Sequence, residues 1–430
     1  MTNKRWNHHA ISYFRRQLSL SQQELASLMG VSRNTIHRWE TGYSCPQGYS
    51  RIKLCEILKV TADELGFFSP PRASTQAPTS FYCDLATPQV SSIPLIGREI
   101  EIKHLREYLC QNFHSLAALH GLPGVGKTAI ASALAHDEAI RNHFSDGILW
   151  AELGPTPIIE ETYRRWGKMV CLSPTETFAS QKASFMALRS AIGFRKMLII
   201  LDDVWNIEDI IRLKVGGPNC AYLLTSRFLH IASSFTVNSL LTVPELNEED
   251  GLTLLKALVP SLDMLVPLDD QARCLVRAIG SLPLALTFMG RYLRTQGVSG
   301  QARRLEAAFH HLSDVYERLH LSGSVELTSG DIDQMPCSPS SLYSKIMMSD
   351  ALLSEGMRRD FYALSIFPSK PASFSEEEAL TNAQCSLETL DFLTDIGLIE
   401  SGGSGRYMLH PTIADYIRVR LEETTAQKAS

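Results

Sequence analysis

Four short apolar runs of strand length alternate with helix-forming stretches in the middle of the chain. The runs lie at residues 116–120, 147–153, 196–203 and 221–227. The stretch after the first run, at 129–135, is rich in alanine and other strong helix formers. Alternation of strands with helices predicts a parallel α/β sheet, whose ligands bind at the carboxyl ends of the strands.

The first 66 residues show only helical patterns. Helices are predicted at 11–18, after a capping box that begins at Ser21, at 33–40 after the cap Ser32, and at 51–58. In the third helix Ile36 and Trp39 are three residues apart, so they face inward and leave a polar face outside. Two short helices joined by a turn through glycine predict a helix-turn-helix.

The regions on either side of the central sheet complete a multidomain architecture. Residues 67–92 are rich in Pro, Ser and Thr and are interpreted as a flexible tether. Helical patterns continue beyond residue 240, residues 322–340 are loose in composition, and two helices (351–367 and 387–398) and a strand (406–410) follow. The predicted domains are an all-α helix-turn-helix domain (1–66), the linker (67–92), an α/β core (93–240), a helical subdomain (241–335) and a last subdomain (336–430), whose two helices and strand resemble a winged-helix subdomain.

Composition places the chain among soluble proteins and divides it by charge. Of its 430 residues 44% are hydrophobic, and we expect neither a signal peptide nor a membrane span, hence a cytoplasmic protein without a membrane partner. Nine scattered cysteines without a C-x-x-C pair argue against a disulfide framework or zinc site. Residues 1–60 hold nine Lys/Arg against three Glu, a net charge of about +6, whereas the rest carries about −11. This asymmetry predicts a polyanion partner for the first module only.

Residues 121–128 fit the P-loop pattern G-x-x-x-x-G-K-[ST] at every fixed position, between a predicted strand and a helix. Lys127 is expected to reach the β- and γ-phosphates, and Thr128 to hold Mg²⁺. Asp202 ends an apolar strand, which predicts that it holds Mg²⁺ through water, while Asp203 orients the attacking water. Arg227 ends a further strand, and its candidate role as a sensor of the γ-phosphate depends on a family resemblance, because an arginine at a strand end is usually on the surface.

The N-terminal module resembles the lambda-repressor/Cro-like family. The resemblance is carried by residues 20–26, 30–32, Thr35-Ile36, Trp39-Glu40 and 60–65. It implies that the third helix enters the major groove of double-stranded DNA. The base readers it implies are Arg33, Asn34 and Thr35, and the phosphate contacts are Gln22, Ser32 and Arg38. The same residues also fit a solvated face on a protein-interaction module.

Residues from about 94 to 420 resemble the NB-ARC family of STAND ATPases. The matching segments include 96–99, the P-loop, 198–205, 223–227 and 282–286. His410 lies at the histidine of the family's M-H-D motif, which contacts the ADP β-phosphate, although Leu409 and Pro411 replace the flanking residues. Ser281 stands where glycine is common, and we expect little consequence. The resemblance implies ADP or ATP with Mg²⁺, bound by Gly97, Arg98, Gly121, Gly124, Val125, Gly126, Lys127, Thr128, Ala129, Arg227, Pro283 and His410.

These features together favour a nucleotide-switched DNA-binding transcriptional regulator, at most a slow Mg²⁺-dependent ATPase. ADP is expected to hold the winged helix closed, and ATP to permit self-association. No sensor repeat of 30–45 residues is visible, so sensing would belong to a separate protein or to an unidentified surface of this chain. Two alternatives stay open: a defence or signalling ATPase whose N-terminal helices recruit a protein effector, and a constitutive repressor with a non-hydrolysing scaffold.

Overall fold

The structure is a computed structural model of the chain. It describes residues 8–18, 20–44, 46, 49–60, 65, 81–89, 93–111, 115–170, 180–236, 239–262, 269–298, 301–321 and 341–429. The loose stretch 322–340 and the first part of the predicted tether lie outside these residues.

The N-terminal module is a helical domain with a small core of its own. Its described helices are α1 (His8–Gln17), α2 (Gln22–Met29), α3 (Arg33–Glu40) and α4 (Tyr49–Leu58). The predicted capping box is present, since Ser21 accepts from the Glu24 N–H and Glu24 accepts from the Ser21 N–H. Ile36 and Trp39 are buried, as the spacing predicts. The predicted helix-turn-helix is therefore confirmed, with α2 and α3 packed against each other.

The central domain is a parallel sheet with helices on both faces. Within the described residues the sheet has six strands in the order β1-β3-β4-β5-β2-β6. The strands are β1 (Tyr82–Cys83), β2 (Leu116–His120), β3 (Gly147–Gly154), β4 (Met197–Val204), β5 (Ala221–Ser226) and β6 (Leu240–Thr242). The helices are α5 (Glu99–Gln111), α6 (Lys127–His136), α7 (Glu138–His143), α8 (Ile159–Met169), α9 (Gln181–Ile192), α10 (Ile207–Leu213) and α11 (Leu229–Phe235). This architecture confirms the predicted α/β class.

The last part of the predicted tether belongs to the central sheet, which corrects the linker assignment for residues 81–89. Strand β1 pairs in parallel with β3, Tyr82 opposite Gly147. The carboxylate of Asp84 is buried and accepts hydrogen bonds from Trp166 Nε1 at 2.7 Å and Trp150 N at 3.1 Å. Arg165 Nε adds a third at 2.8 Å. Composition could not reveal this docking, because the strand is short and one buried carboxylate holds it.

The remaining described chain forms a helical subdomain and a C-terminal subdomain. The helical subdomain contains α12 (Glu248–Leu258), α13 (Asp269–Ala278), α14 (Pro283–Gly297), α15 (Ala302–Leu312), α16 (Val315–His320) and a 3₁₀ turn (Pro260–Leu262). The C-terminal subdomain contains α17 (Leu342–Asp350), α18 (Glu355–Ala363), a 3₁₀ turn (Leu364–Ile366), β7 (Phe374–Ser375), α19 (Glu376–Asn382), α20 (Leu387–Asp395), β8 (Glu400–Gly403), β9 (Arg406–Met408) and α21 (Pro411–Ala429).

The C-terminal subdomain contains more helices and strands than the two helices and one strand that the sequence predicts. Its three described strands form an antiparallel sheet in the order β7-β9-β8, as a winged helix requires. The helix predicted over 351–367 begins only at Glu355, because Ser354 caps it and α17 has ended at Asp350. Among the described residues no helix has the length and apolar character of a membrane span.

Candidate nucleotide site and nucleic-acid interface

The P-loop joins β2 to α6 and has the backbone that a phosphate cradle needs. Gly126 caps α6 with φ +105°, and a Cβ placed there would meet no atom within 4 Å. The space above Gly126 is therefore open to a ligand, at a helix N-terminus whose dipole favours anions. Gly124 also has a positive φ, +83°. A side chain is excluded there for a second reason, because an added Cβ would lie 2.9 Å from Leu284 Cβ on α14.

Lys127 is buried at the start of α6 and points back along the loop. Its Nζ donates to the carbonyl oxygens of Gly121 at 2.8 Å and Leu122 at 2.9 Å. Burial, reinforced by the positive charge of Arg227, lowers the pKa of Lys127 to about 7. The ammonium thus has carbonyl partners but no adjacent carboxylate bonded to it among the described residues, which leaves it ready to pair with a phosphate.

Asp202 and Thr128 lie together at the carboxyl end of the sheet. The Thr128 hydroxyl is 3.0 Å from both carboxylate oxygens of Asp202. Burial raises the pKa of Asp202 to about 6. A hydroxyl and a carboxylate at this separation suit Mg²⁺, which prefers oxygen ligands and keeps several waters. The structure therefore brings the two predicted metal-site residues together.

Thr225 on β5 is a site residue that the sequence reading missed. It is fully buried, and its hydroxyl donates to Asp202 Oδ1 at 2.6 Å. The Thr225 hydroxyl oxygen in turn accepts from the backbone N–H of Asp203 at 2.9 Å. Asp203 has φ +50°, so this bond holds a non-glycine residue in the left-handed region. Only the β4–β5 neighbour relation shows this role, which explains why a linear pattern does not reveal it.

Asp203 and Arg227 extend the site toward the C-terminal subdomain. Asp203 Oδ2 accepts from Trp205 Nε1 at 3.0 Å, and its Oδ1 is 3.4 Å from Arg227 Nη2. The buried Arg227 guanidinium lies 4.5 Å from the Trp205 ring centroid. Its Nη1 donates to the Ser349 hydroxyl at 3.1 Å and to the Lys345 carbonyl at 3.3 Å, both on α17. Arg227 therefore connects the nucleotide core to the C-terminal subdomain.

The segment 96–99 closes the other side of the P-loop. Arg98 is buried, and its Nη2 donates to the carbonyls of Val125 at 3.1 Å and Pro244 at 2.6 Å. A Cβ at Gly97 would lie 2.5 Å from Asp250 on α12. Ala129 is exposed on the first turn of α6, beside Thr128. These contacts place the predicted residues around one loop, while their nucleotide contacts stay predictions.

Pro283 is the first residue of α14, whose start lies against the P-loop, since Leu284 N donates to Gly124 O at 3.1 Å. Just before it, Ser281 has φ +54°. A left-handed non-glycine residue costs roughly 1–2 kcal/mol, whereas the expectation that serine in place of glycine has little consequence stays a prediction.

His410 is almost fully buried and faces Gly280 rather than solvent. Its Nδ1 accepts from the Thr412 N–H at 3.2 Å, and its Nε2 lies 3.2 Å from the Gly280 carbonyl oxygen. Together the two contacts assign the neutral tautomer with the proton on Nε2. Burial lowers the pKa of His410 to about 4, which agrees with a neutral ring.

The outward face of α3 has the form expected of a recognition helix. Arg33, Asn34 and Arg38 are exposed, and Thr35 is half-buried. Ser32 caps the helix by accepting from Thr35 N at 3.1 Å, so its hydroxyl is already used. The side chains predicted to read bases thus lie together at the N-terminal end of α3, in solvent.

A buried ion pair beneath α3 was not predicted. Arg15 Nε donates to Glu40 Oε1 at 2.6 Å, and both side chains are buried. The Gln22 amide donates to Glu40 Oε2 at 2.6 Å. An amide group has two donor hydrogens, so the predicted phosphate contact of Gln22 rests on the second one. The pairing fixes α1, α2 and α3 relative to one another.

Two families of known domains match these same units. The NB-ARC domain family matches residues 98–263, and the helix-turn-helix family matches residues 11–65. The first match covers the P-loop, Asp202 and Arg227, and the second covers α1 to α4. The NB-ARC resemblance stated from the sequence is thereby confirmed over residues 98–263, and the helix-turn-helix resemblance over residues 11–65.

Individual relatives match part of their own length. Regulatory protein AfsR of Streptomyces griseus is 27% identical over 323 residues, which cover 72% of this chain and 30% of AfsR. Probable disease resistance protein At1g59620 of Arabidopsis thaliana is 25% identical over 257 residues, 53% of this chain and 29% of that protein. The chain spans about 30% of the length of these curated relatives. Among solved structures, a Walker-type ATPase of Pyrococcus abyssi aligns over 75% of this chain and 96% of its own at 15% identity, with a TM-score of 0.48.

Proposed function

Because the chain joins a helix-turn-helix domain to an NB-ARC domain, we propose that it is a nucleotide-switched DNA-binding transcriptional regulator. The observation that carries this proposal is the exposed polar face of α3, in a chain whose core brings Lys127, Thr128 and Asp202 together. Its two regulatory relatives named AfsR support the same class.

The nucleotide site is assigned to ADP or ATP with Mg²⁺. Bound Mg²⁺ would neutralise phosphate charge, with Thr128 and Asp202 as its holders. Lys127 would balance the phosphates, Asp203 would orient a water, and Arg227 would respond to the γ-phosphate. Turnover is expected to be slow, since a switch needs long-lived states.

The DNA surface is assigned to α3 and its flanks. Arg suits guanine and Asn suits adenine through paired hydrogen bonds, so Arg33 and Asn34 are the proposed base readers. Arg38 is a proposed phosphate contact. The nucleotide is proposed to change self-association and thereby the pairing of helix-turn-helix domains on DNA, whose half-sites lie about 34 Å apart.

The test measures the affinity of the full-length protein for a selected duplex, loaded with ADP or with Mg²⁺ and a non-hydrolysable ATP analogue. The analogue is expected to tighten binding, and Lys127→Ala should remove the difference while the protein stays folded. Strong DNA binding that ignores the nucleotide would favour the constitutive repressor instead.

Three α3 variants and one matched control test the DNA surface. Arg33→Ala and Asn34→Ala should each cost about 1–3 kcal/mol on the preferred duplex and relax its sequence preference. Arg38→Ala should weaken binding to all sequences and reduce the log–log salt slope by about one. Arg16→Ala removes the same charge from an exposed position on α1 and should leave the sequence preference unchanged. If the protein shows no salt-dependent affinity for any duplex, and the three α3 substitutions leave its function intact, the effector-recruiting alternative replaces this proposal.

A further inference from the structure

A cluster of four titratable side chains lies where the C-terminal subdomain meets the nucleotide core. Glu245 comes from the segment between β6 and α12, and Lys370, Glu400 and His410 come from the C-terminal subdomain. Lys370 Nζ is 3.1 Å from Glu245 Oε1 and 2.5 Å from Glu400 Oε2. His410 Nε2 is 3.8 Å from Glu245 Oε1. One ammonium therefore faces two carboxyl groups across the boundary.

The cluster is one positive charge short. His410 is neutral, so two ionised carboxylates and one ammonium leave a net charge of −1 in a mostly buried position. Glu400 Oε1 is buried and has no hydrogen-bond partner within the described chain. A buried acceptor without a donor is costly, and a proton placed between the two carboxyl groups supplies that donor.

The segment that carries Glu245 is in direct contact with the P-loop. Val243 N donates to the His120 carbonyl at 2.7 Å. A Cβ added to Gly121 would lie 2.6 Å from the Val243 carbonyl oxygen, so the two backbones are in close contact. Arg98 binds the next carbonyl, that of Pro244, and also the carbonyl of Val125 in the P-loop. Val243 is two residues before Glu245, so a movement of Glu245 would be transmitted directly to the P-loop.

We propose that Glu245, Lys370 and Glu400 form a proton-dependent latch that holds the C-terminal subdomain on the nucleotide core. In the closed arrangement the Glu400 carboxyl group is protonated and donates a hydrogen bond to the Glu245 carboxylate, while Lys370 Nζ bonds to both side chains. When the proton leaves, two carboxylates repel each other across the boundary and the latch weakens. The latch depends on these contacts alone, so it can hold or fail independently of the proposed DNA binding.

The sign of the pH dependence follows from Glu400. Burial, and then the negative charge of Glu245, raise the pKa of Glu400 to about 7 from an ordinary value of 4.5. Burial alone would lower the pKa of Lys370, but the hydrogen bonds and negative charges of Glu400 and Glu245 together outweigh burial and raise it, so Lys370 stays charged. A group with a raised pKa in the closed state stabilises that state at low pH and loses this effect as the pH rises through 7.

The test measures hydrogen-exchange protection factors of amides at 398–413 in the full-length protein between pH 6 and pH 8, corrected for intrinsic exchange rates. Protection in the wild type should fall about tenfold over this range, as expected for release of one proton with a pKa near 7. Glu400→Gln replaces the protonated carboxyl by an amide that can still donate to Glu245. Its protection should not change with pH and should exceed that of the wild type at pH 8.

Two further variants keep the outcome decisive. If Glu400→Gln does not fold, Glu245→Gln removes the other carboxyl of the pair and should also abolish the pH dependence. Glu422→Gln changes an exposed carboxylate on α21 of the same subdomain and should behave as the wild type. The proposal is overturned if wild-type protection does not change with pH, or if both latch variants retain the wild-type slope.

Discussion

At the scale of single residues, Lys127 shows how burial prepares a charge for a ligand. Its pKa is lowered to about 7 by burial and by Arg227, and an adjacent phosphate would restore the positive charge. Binding of ADP at pH 8 or above should therefore take up a proton. Phosphate groups lose their second proton near pH 6, so they add no further change in this range.

The affinity for ADP should consequently fall roughly tenfold between pH 8 and pH 9, because the free protein must first protonate Lys127. Isothermal titration in buffers of different ionisation enthalpy measures both the affinity and the proton uptake. Lys127→Met should bind more weakly at each pH and lose the slope. An affinity that stays constant from pH 8 to pH 9 in the wild type would show that Lys127 does not pair with the phosphates.

Gly280 is a second residue whose role can be tested alone. It has φ +61°, and an added Cβ would lie 2.5 Å from His410 Nε2 and 2.9 Å from Pro411 Cδ. Since His410 is buried, it has little room to move. Gly280→Ala should cost roughly 1–2 kcal/mol through backbone strain and a further 1–3 kcal/mol through overpacking.

Gly154→Ala is the matched control, because Gly154 has φ +62° and no atom within 4 Å of an added Cβ. It should show the strain cost only. Urea unfolding of both variants measures the difference, and equal losses would mean that the contact between Gly280 and His410 carries no packing constraint.

At the scale of elements, the sequence predicts what repeats regularly and misses what depends on distant partners. Helix α3 and strands β2 to β5 lie within two residues of the predicted bounds, because caps and apolar runs define them. Strand β1 and helix α17 were not predicted, since β1 is two residues long and its stability comes from Asp84, the residue after it, which accepts hydrogen bonds from Trp150 on β3 and Trp166 on α8. Thr225 was missed for a similar reason: its partners, Asp202 and Asp203, lie on the adjacent strand.

The docking of β1 makes a specific prediction about Asp84. Asp84→Ala removes the acceptors of the Trp166 and Arg165 side chains, so β1 should detach from β3. Chymotrypsin should then cleave after Tyr82 quickly in the variant and slowly in the wild type, as mass spectrometry of the fragments would show. Asp137→Ala, which removes the cap of α7 and a salt bridge to Arg106, should leave that site protected. Cleavage after Tyr82 at the wild-type rate in Asp84→Ala would contradict this account.

At the scale of the whole molecule, the part of the chain that the structure describes has two groups of polar contacts between the C-terminal subdomain and the nucleotide core. One is the Glu245–Lys370–Glu400 cluster and the other is centred on Arg227. They lie on different segments of the core, the Glu245 segment after β6 and the end of β5. A switch that opens the molecule has to release both, so each should contribute separately to closure.

Arg227→Met tests the second group, since it keeps an apolar stem and removes the guanidinium. It leaves the fully buried Ser349 hydroxyl without its donor, and a buried group that loses its partner costs about 1–3 kcal/mol. Amides of α17 should therefore exchange roughly 5- to 150-fold faster, while those of β2 and β4 stay protected. Arg212→Met is the control, because Arg212 is exposed on α10 and its pairs with Glu208 and Asp209 are both long, at 3.6 Å. If α17 keeps its wild-type protection in Arg227→Met, Arg227 does not hold the C-terminal subdomain on the nucleotide core.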